Sequence, residues 1–265
     1  MRGCRRNFFS GRQIRDAYPE RDALAVPFPL RRQFPEMELM MPTAPSLNET
    51  LAAFQSKRAV TMPADKLKIN VDQRRVLVET ADRSAFVKEG DVIEPFTLAE
   101  LDGEALRLDA LLEEGPAVLV FFRFAGCPAC NIALPYYNSY LAPELQRLGA
   151  TLVGVSPQVP ERLREIKERH KLDFLIATDA DNALARRFGI LYSYDEPSRR
   201  SAIESGNPIG EVTGTGTWEL PMPATIVIDH SGTVRFADVS PDWLVRTEPA
   251  DIIEAVKAIE ARAAA

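Results

Sequence analysis

The sequence predicts an α/β fold, a mixed central sheet with helices on both faces. Three observations carry this. From Ala117 onward the elements read β-α-β-α-β-α and then β-β-α, alternation followed by a terminal hairpin. The run Ala-Val-Leu-Val-Phe-Phe at 117–122 sits behind Gly115-Pro116 and has the length and residue types of a buried strand. Apolar residues make up 46% of the 265 and charged residues 26%, the balance of an ordinary globular chain.

The first 36 residues are different. Eight arginines face four acids, so this stretch carries +4 and leaves −10 on the rest. Four prolines (19, 27, 29 and 35) break it and no periodicity is sustained. It lacks the apolar centre of a secretory signal, and its acids argue against an organelle-targeting segment. Residues 1–45 are expected to be a disordered basic leader, or the product of a start read too early, with Met37 or Met40 as the true start.

Residues 46–89 read as a helical extension. Ser46-Leu-Asn-Glu49 has the form of a capping box, followed by Leu51, Ala52 and Phe54. A second helix is expected near 71–81. The main domain is expected over 90–265. Val92, Phe96 and Leu98, followed by Leu101-Asp-Gly-Glu104, predict a short hairpin, and 106–112 a short helix. After the strand at 117–124 a helix is expected over 127–148, a strand over 151–156, and a charge-laced helix over 160–171. A strand at 174–177 and a helix at 180–188 follow. Residues 191–217, rich in Gly, Ser and Pro, read as a loop insertion with some extra helix. A hairpin of 225–228 with 234–237 turns at Asp229-His-Ser-Gly232, and Pro249 opens a last helix over 248–262.

The net charge of −6 gives no global basic field to attract nucleic acid. The longest apolar run is far too short to span a bilayer, so no membrane role is expected. Three cysteines cannot form a disulfide framework. Cys4 lies in the leader. The other two form Cys127-Pro-Ala-Cys130 where the buried strand gives way to a helix. There Cys127 would sit at the helix N-terminus, whose free N–H groups and dipole stabilise a thiolate. Pro128 suits the first helical position. Cys130 lies one turn on, expected to be the shielded thiol and Cys127 the exposed one. The spacing permits an intramolecular disulfide, with Cys127 attacking and Cys130 resolving. Half a zinc site and a pair of structural thiols are the competing readings. Zinc needs two more ligands, and His170 and His230 lie 40 and 100 residues beyond Cys130. The redox reading fits best; no metal and no cofactor are expected.

Cys127-Pro-Ala-Cys130 with Pro135 five residues on resembles the proline-kinked active-site helix of thioredoxin. The wider frame resembles the peroxiredoxin-like branch of the alkyl hydroperoxide reductase/thiol-specific antioxidant superfamily. The matching pieces are Gly90 to Leu98, Phe122 to Cys130, Val155-Ser-Pro157, Trp218 to Thr225, and Val227 to Gly232. The resemblance implies a thioredoxin-like fold over about 46–262 and thiol chemistry. Departures accompany it. Phe124 stands three residues before Cys127, where the peroxiredoxin threonine is expected, and Val120 where its proline is expected. Pro223 replaces the peroxidase arginine and matches instead the thioredoxin cis-proline. Phe121 and Gly126 replace the thioredoxin carboxylate and tryptophan. The resemblance implies a cis Met222–Pro223 bond that leaves the Met222 backbone free to pair with an incoming extended chain. Arg123 either turns toward the site, lowering the thiol pKa, or faces solvent at the strand end. Trp218 either walls the site or simply packs.

These features imply a cytoplasmic thiol-disulfide oxidoreductase. The alternatives are a thiol-dependent peroxidase acting on hydrogen peroxide or alkyl hydroperoxides, and a non-catalytic redox sensor. The partners implied are a disulfide or peroxide substrate and a thioredoxin- or glutathione-type reductant. A chain beginning at Met37 is expected to keep the melting temperature and activity of the full chain. A loss of several degrees would show that the leader docks onto the fold.

Overall fold

The computed structural model describes residues 45–263. The leader expected over 1–45 therefore falls, but for its last residue, outside the described residues. Helix α1 (Leu47–Thr61) starts at the predicted capping box: Ser46 Oγ accepts from the Glu49 N–H, and the Glu49 carboxylate accepts from the Ser46 N–H. The two free N–H groups of Leu47 and Asn48 donate to the carboxylate of Glu248, at 3.0 and 2.9 Å. Helix α2 (Ala64–Thr80) starts seven residues earlier than its apolar face suggests, directly after Pro63.

A seven-stranded mixed sheet forms the centre. Its strands are β1 (Thr97–Glu100), β2 (Ala105–Arg107), β3 (Ala117–Phe121), β4 (Thr151–Ser156), β5 (Leu175–Thr178), β8 (Ala224–Ile228) and β9 (Val234–Val239), in the order β2-β1-β5-β4-β3-β8-β9. Strands β3, β4 and β5 are parallel, and the other pairings are antiparallel. The period of two divides β3 between two cores. Val118 and Val120, with Phe122 beyond them, face one core; Ala117, Leu119 and Phe121 face the other. The first core is covered by α1, α4 (Pro128–Tyr140), α5 (Ala142–Arg147), α6 (Pro160–His170) and α10 (Pro249–Ala263). The second is covered by α3 (Leu108–Glu114) and α7 (Ala183–Arg187). This is the predicted mixed sheet with helices on both faces.

Three differences from the sequence reading have local causes. Strand β3 ends at Phe121, not Phe124. Its last pair with β8 is Phe121 with Ala224, and the preceding Pro223 has no N–H to extend the ladder. The helix expected over 127–148 breaks at Leu141, because Pro143 can neither donate to Ser139 nor fit over its carbonyl. The insertion folds as β6 (Leu191–Ser193), α8 (Glu196–Glu204), α9 (Ile209–Thr213) and β7 (Glu219–Pro221), with β6 and β7 pairing antiparallel. Among the described residues no helix is long and apolar enough to cross a membrane.

Glu248 joins the two ends of the described chain, capping α1 just before α10 begins. Glu248→Ala leaves two partly buried N–H groups without a carboxylate. It is expected to lower unfolding stability by about 1–3 kcal/mol in denaturant titration. An unchanged midpoint and slope would mean that water replaces the carboxylate without cost.

Candidate active site

The site forms at the carboxyl end of β3, where the chain leaves the sheet and enters α4. Two contacts fix the connecting loop. The Ala125 N–H donates to Gln158 Oε1 at 2.8 Å, and Ser156 Oγ donates to the Arg123 carbonyl at 3.1 Å. Cys127 is the N-cap of α4, with Pro128 at its first position and Pro135 inside it, as the sequence implies. Its sulfur therefore lies at the positive end of a helix of 13 residues.

Cys127 and Cys130 are both free thiols and both fully buried, 0% exposed. The expected contrast of an exposed Cys127 with a shielded Cys130 is thus not found. Both sulfurs belong to the core cluster that Trp243, Leu47 and Leu51 share and that Phe54 and Phe124 pack against. Chemistry, not exposure, separates the two sulfurs. The Cys127 thiol is pulled down to about 5, first by the hydrogen bond from Cys130, then, against the cost of burial, by the cations of Arg123 and Arg246. Burial pushes the Cys130 thiol up, and the neighbouring Cys127 pushes it further.

Arg123 turns inward and is buried. Its Nη1 lies 3.9 Å from Cys127 Sγ, and its Nη2 donates to the Tyr194 hydroxyl. The guanidinium carbon lies 4.7 Å from the ring centre of Trp243 and 5.6 Å from those of Phe124 and Tyr194. A second buried guanidinium, Arg246, places Nη2 3.8 Å from Cys130 Sγ and anchors Nη1 on the Trp243 and Val245 carbonyls. Arg246, Trp243 and Tyr194 lie far along the chain and escape a reading of the sequence. The one hint is Trp243-Leu-Val-Arg246, apolar residues ending in a cation between the terminal hairpin and the last helix.

The remaining predicted residues are placed as follows. Phe124 is half-buried, and together with Pro128 it lines a cavity of about 320 Å³ that Arg123 and Trp243 also face. Trp218 stands one layer out, with its ring centre 6.1 Å from that of Tyr194. The Met222–Pro223 bond is trans, since no peptide bond among the described residues is cis. Nor is the Met222 backbone free: its N–H donates to the Ile190 carbonyl at 2.7 Å. The insertion supplies β6 alongside β7, so the edge expected to receive an incoming chain is already paired. Pro223 lies beside Arg246, Tyr137 and Thr247, and its carbonyl accepts from the Ser240 N–H.

Residues 90–237 match the AhpC/TSA family, which is more than half of the chain. The chain belongs to that family. It is 31% identical over 104 residues to a putative peroxiredoxin of Mycobacterium tuberculosis, spanning 39% of this chain and 67% of that one. It is 30% identical over 105 residues to peroxiredoxin Bcp of Escherichia coli, spanning 39% of this chain and 65% of that one. The solved structure of peroxidoxin BcpB from Mycobacterium tuberculosis superposes with a TM-score of 0.51 at 25% identity, covering 65% of this chain and 98% of that one. A peroxiredoxin 6 variant of Arenicola marina superposes with a TM-score of 0.54 at 17% identity, covering 67% and 75%, a likeness of fold alone. As an AhpC/TSA-family protein with peroxiredoxin relatives, this chain is a thiol-based oxidoreductase of thioredoxin-like fold. In it α1 and α2 precede the matching segment.

The thiolate form of Cys127 is expected to persist down to about pH 5 and to disappear below it, followed by ultraviolet absorbance of the reduced protein. Arg123→Met removes the nearer cation and is expected to move the midpoint toward neutral pH. An unmoved midpoint would mean that Arg123 does not hold the thiolate.

Proposed function

We propose that this chain is a thiol-dependent peroxidase in which Cys127 attacks the peroxide and Cys130 resolves the product. The observation that carries this is the placement of the buried Cys127 sulfur, at the N-cap of α4 and 3.9 Å from Arg123 Nη1, where the Cys130 hydrogen bond and the cation hold its thiol low. The thiolate attacks one peroxide oxygen, an S–O bond forms, and the O–O bond breaks. The leaving alkoxide takes up a proton and departs as alcohol, or as water when the substrate is hydrogen peroxide. Cys127 is left as a sulfenic acid. The Cys130 sulfur then attacks the Cys127 sulfur, the S–S bond forms, and the hydroxyl leaves with a proton as water. A thioredoxin- or glutathione-type thiol returns the disulfide to the dithiol by exchange, in a reducing compartment such as the cytoplasm.

Arg123 supports this reading in two ways. It stabilises the thiolate, and its N–H fork, with Nη1 3.9 Å from Cys127 Sγ, is close enough to that sulfur to donate to an oxygen reacting there. It thereby supplies donors that Phe124 cannot provide at the position of the family threonine. Pro128 and Phe124 would shift to admit a molecule as small as a peroxide from the adjoining cavity. Arg246 acts as a positioning residue, holding Cys130 within reach of Cys127. Exchange with a protein disulfide, the reading the Cys-x-x-Cys spacing suggests first, is less well supported. The Met222 N–H, expected to pair with an incoming extended chain, is engaged by Ile190.

Peroxide consumption coupled to thioredoxin and thioredoxin reductase is expected to exceed reduction of a protein disulfide by the same preparation. Cys127→Ser is expected to abolish it. Cys130→Ser is expected to consume one equivalent of peroxide and then stop, leaving a sulfenic acid that a dimedone-type reagent traps. Faster turnover of the disulfide than of hydrogen peroxide would reverse the proposal.

A further inference from the structure

Each of the two sulfurs has its own buried cation. Arg123 Nη1 lies 3.9 Å from Cys127 Sγ, and Arg246 Nη2 lies 3.8 Å from Cys130 Sγ. The two arginines are 4% and 6% exposed. Arg246 Nη1 is spent on the Trp243 and Val245 carbonyls, so no carboxylate accepts from this guanidinium among the described residues. The acids nearby in the chain are engaged elsewhere. Asp238 accepts from the Thr247 hydroxyl at 2.8 Å, Asp242 pairs with Arg74, and Glu248 caps α1. Of the tyrosines, Tyr137 donates to the Thr247 carbonyl and is pushed up by burial, and the Tyr194 hydroxyl accepts from Arg123. Arg246 lies between β9 and α10, beyond the 90–237 segment that matches the AhpC/TSA family.

With Cys127 ionised and Cys130 protonated, two buried cations share one anion. Burial and the Cys127 thiolate keep the proton on Cys130, against the pull of Arg246 and then of Arg123. Oxidation of Cys127 to a neutral sulfenic acid removes the repulsion but leaves both cations in place. A buried cation without an anion is costly, so the same surroundings now favour a thiolate on Cys130. The first step also provides a base to take the proton. The oxygen released from the peroxide is far more basic than a thiolate: water ionises near 15.7 and an ordinary thiol near 8.5.

We propose that Arg246, beyond holding Cys130 in place, is a second catalytic cation that ionises the Cys130 sulfur for the resolving step. Resting on the peroxidase reading, this makes the negative charge of the site pass from one sulfur to the other. The Cys127 thiolate attacks, the S–O bond forms, and the O–O bond breaks to release alkoxide, or hydroxide from hydrogen peroxide. That base takes the Cys130 proton and departs as alcohol or water. The Cys130 thiolate, facing Arg246, then attacks the Cys127 sulfur. The S–S bond forms, the S–O bond breaks, and hydroxide leaves and takes a proton from solvent. The two sulfurs together lose the two electrons that the peroxide gains.

Two measurements on the full chain test this. In the first, the reduced protein meets one equivalent of hydrogen peroxide, and quenched samples are read by mass spectrometry for sulfenic acid and disulfide. Arg246→Met is expected to convert sulfenic acid to disulfide about tenfold more slowly than the wild type at pH 7, the gain in thiolate outweighing its weaker nucleophilicity. The deficit is expected to shrink as pH rises and ionises Cys130 without the cation, which loss of positioning alone would not produce. In the second, Cys127→Ser provides a neutral neighbour without oxidation. Its ultraviolet titration, less that of Cys127→Ser/Cys130→Ser, reports Cys130 alone. The midpoint is expected below the ordinary thiol value of about 8.5, and higher once Arg246→Met is added. Circular dichroism melting confirms that each variant is folded, and if Arg246→Met fails to fold the Cys127→Ser midpoint decides. A Cys130 midpoint at or above about 8.5 in Cys127→Ser overturns the proposal. So does disulfide closure in a folded Arg246→Met that is unslowed, or slowed by one factor at every pH. If the unaltered chain forms no sulfenic acid with hydrogen peroxide, the peroxidase reading fails, and the titration still decides whether Arg246 ionises Cys130.

Discussion

The arrangement depends on one electrostatic constraint: the buried guanidinium of Arg123 has no carboxylate partner among its hydrogen-bonding contacts, which are Cys127 Sγ and the Tyr194 hydroxyl. An isolated buried cation costs several kcal/mol. Aromatic faces offset part of that cost, and Trp243, Phe124 and Tyr194 surround the cation. Among the described residues, the hydrogen-bonding contact that can supply a full counter-charge is Cys127, as a thiolate. The cation therefore selects the ionised sulfur, and the sulfur in turn makes the buried cation tolerable.

The fold brings this about with few parts. Strand β3 delivers Arg123 and Cys127 from its carboxyl end, Gln158 and Ser156 pin the loop between them, and α4 turns its positive end toward the sulfur. The segment after β9 then supplies Trp243 and Arg246 together. The Trp243 indole N–H donates to Gln73 of α2 at 3.2 Å, which ties the N-terminal extension to the same cluster. The extension is thus part of the thiol environment. Asymmetry between the cysteines follows from their different hydrogen-bonding roles: Cys130 donates, Cys127 accepts, and the proton is held on Cys130.

What the sequence revealed was whatever local chemistry dictates. The Ser46–Glu49 box, the start of the buried strand at Ala117, the strand at 151–156, matched to the residue, and the Cys-x-x-Cys at a helix start are all written in adjacent residues. What it hid depends on pairing across distance. Arg246 lies 116 residues from Cys130, and no spacing rule connects them. The cis bond expected at Met222–Pro223 came from resemblance to thioredoxin; here β6 of the insertion runs alongside β7, and the Met222 N–H is consumed by Ile190. Composition marked 191–217 as irregular, but only tertiary contact shows it building α8 as one wall of the cavity. Burial of Cys127 was equally invisible, because the residues that cover it come from elements distant in sequence.

The claim that the Cys127 thiolate is the counter-ion of a buried cation can be tested by linkage, without substrate. The folded-state pKa of about 5 lies below the ordinary thiol value of about 8.5, so the thiolate contributes stability that is fully present above the unfolded value. That contribution is lost as pH falls through the folded value. Denaturant unfolding of the reduced protein and of Cys127→Ser, across this pH range, isolates it from the carboxylates that titrate in both. The account predicts that the stability advantage of the wild type over Cys127→Ser grows by several kcal/mol between about pH 5 and pH 8.5. A difference that stays constant with pH would show that Cys127 is a neutral buried thiol and would contradict the account.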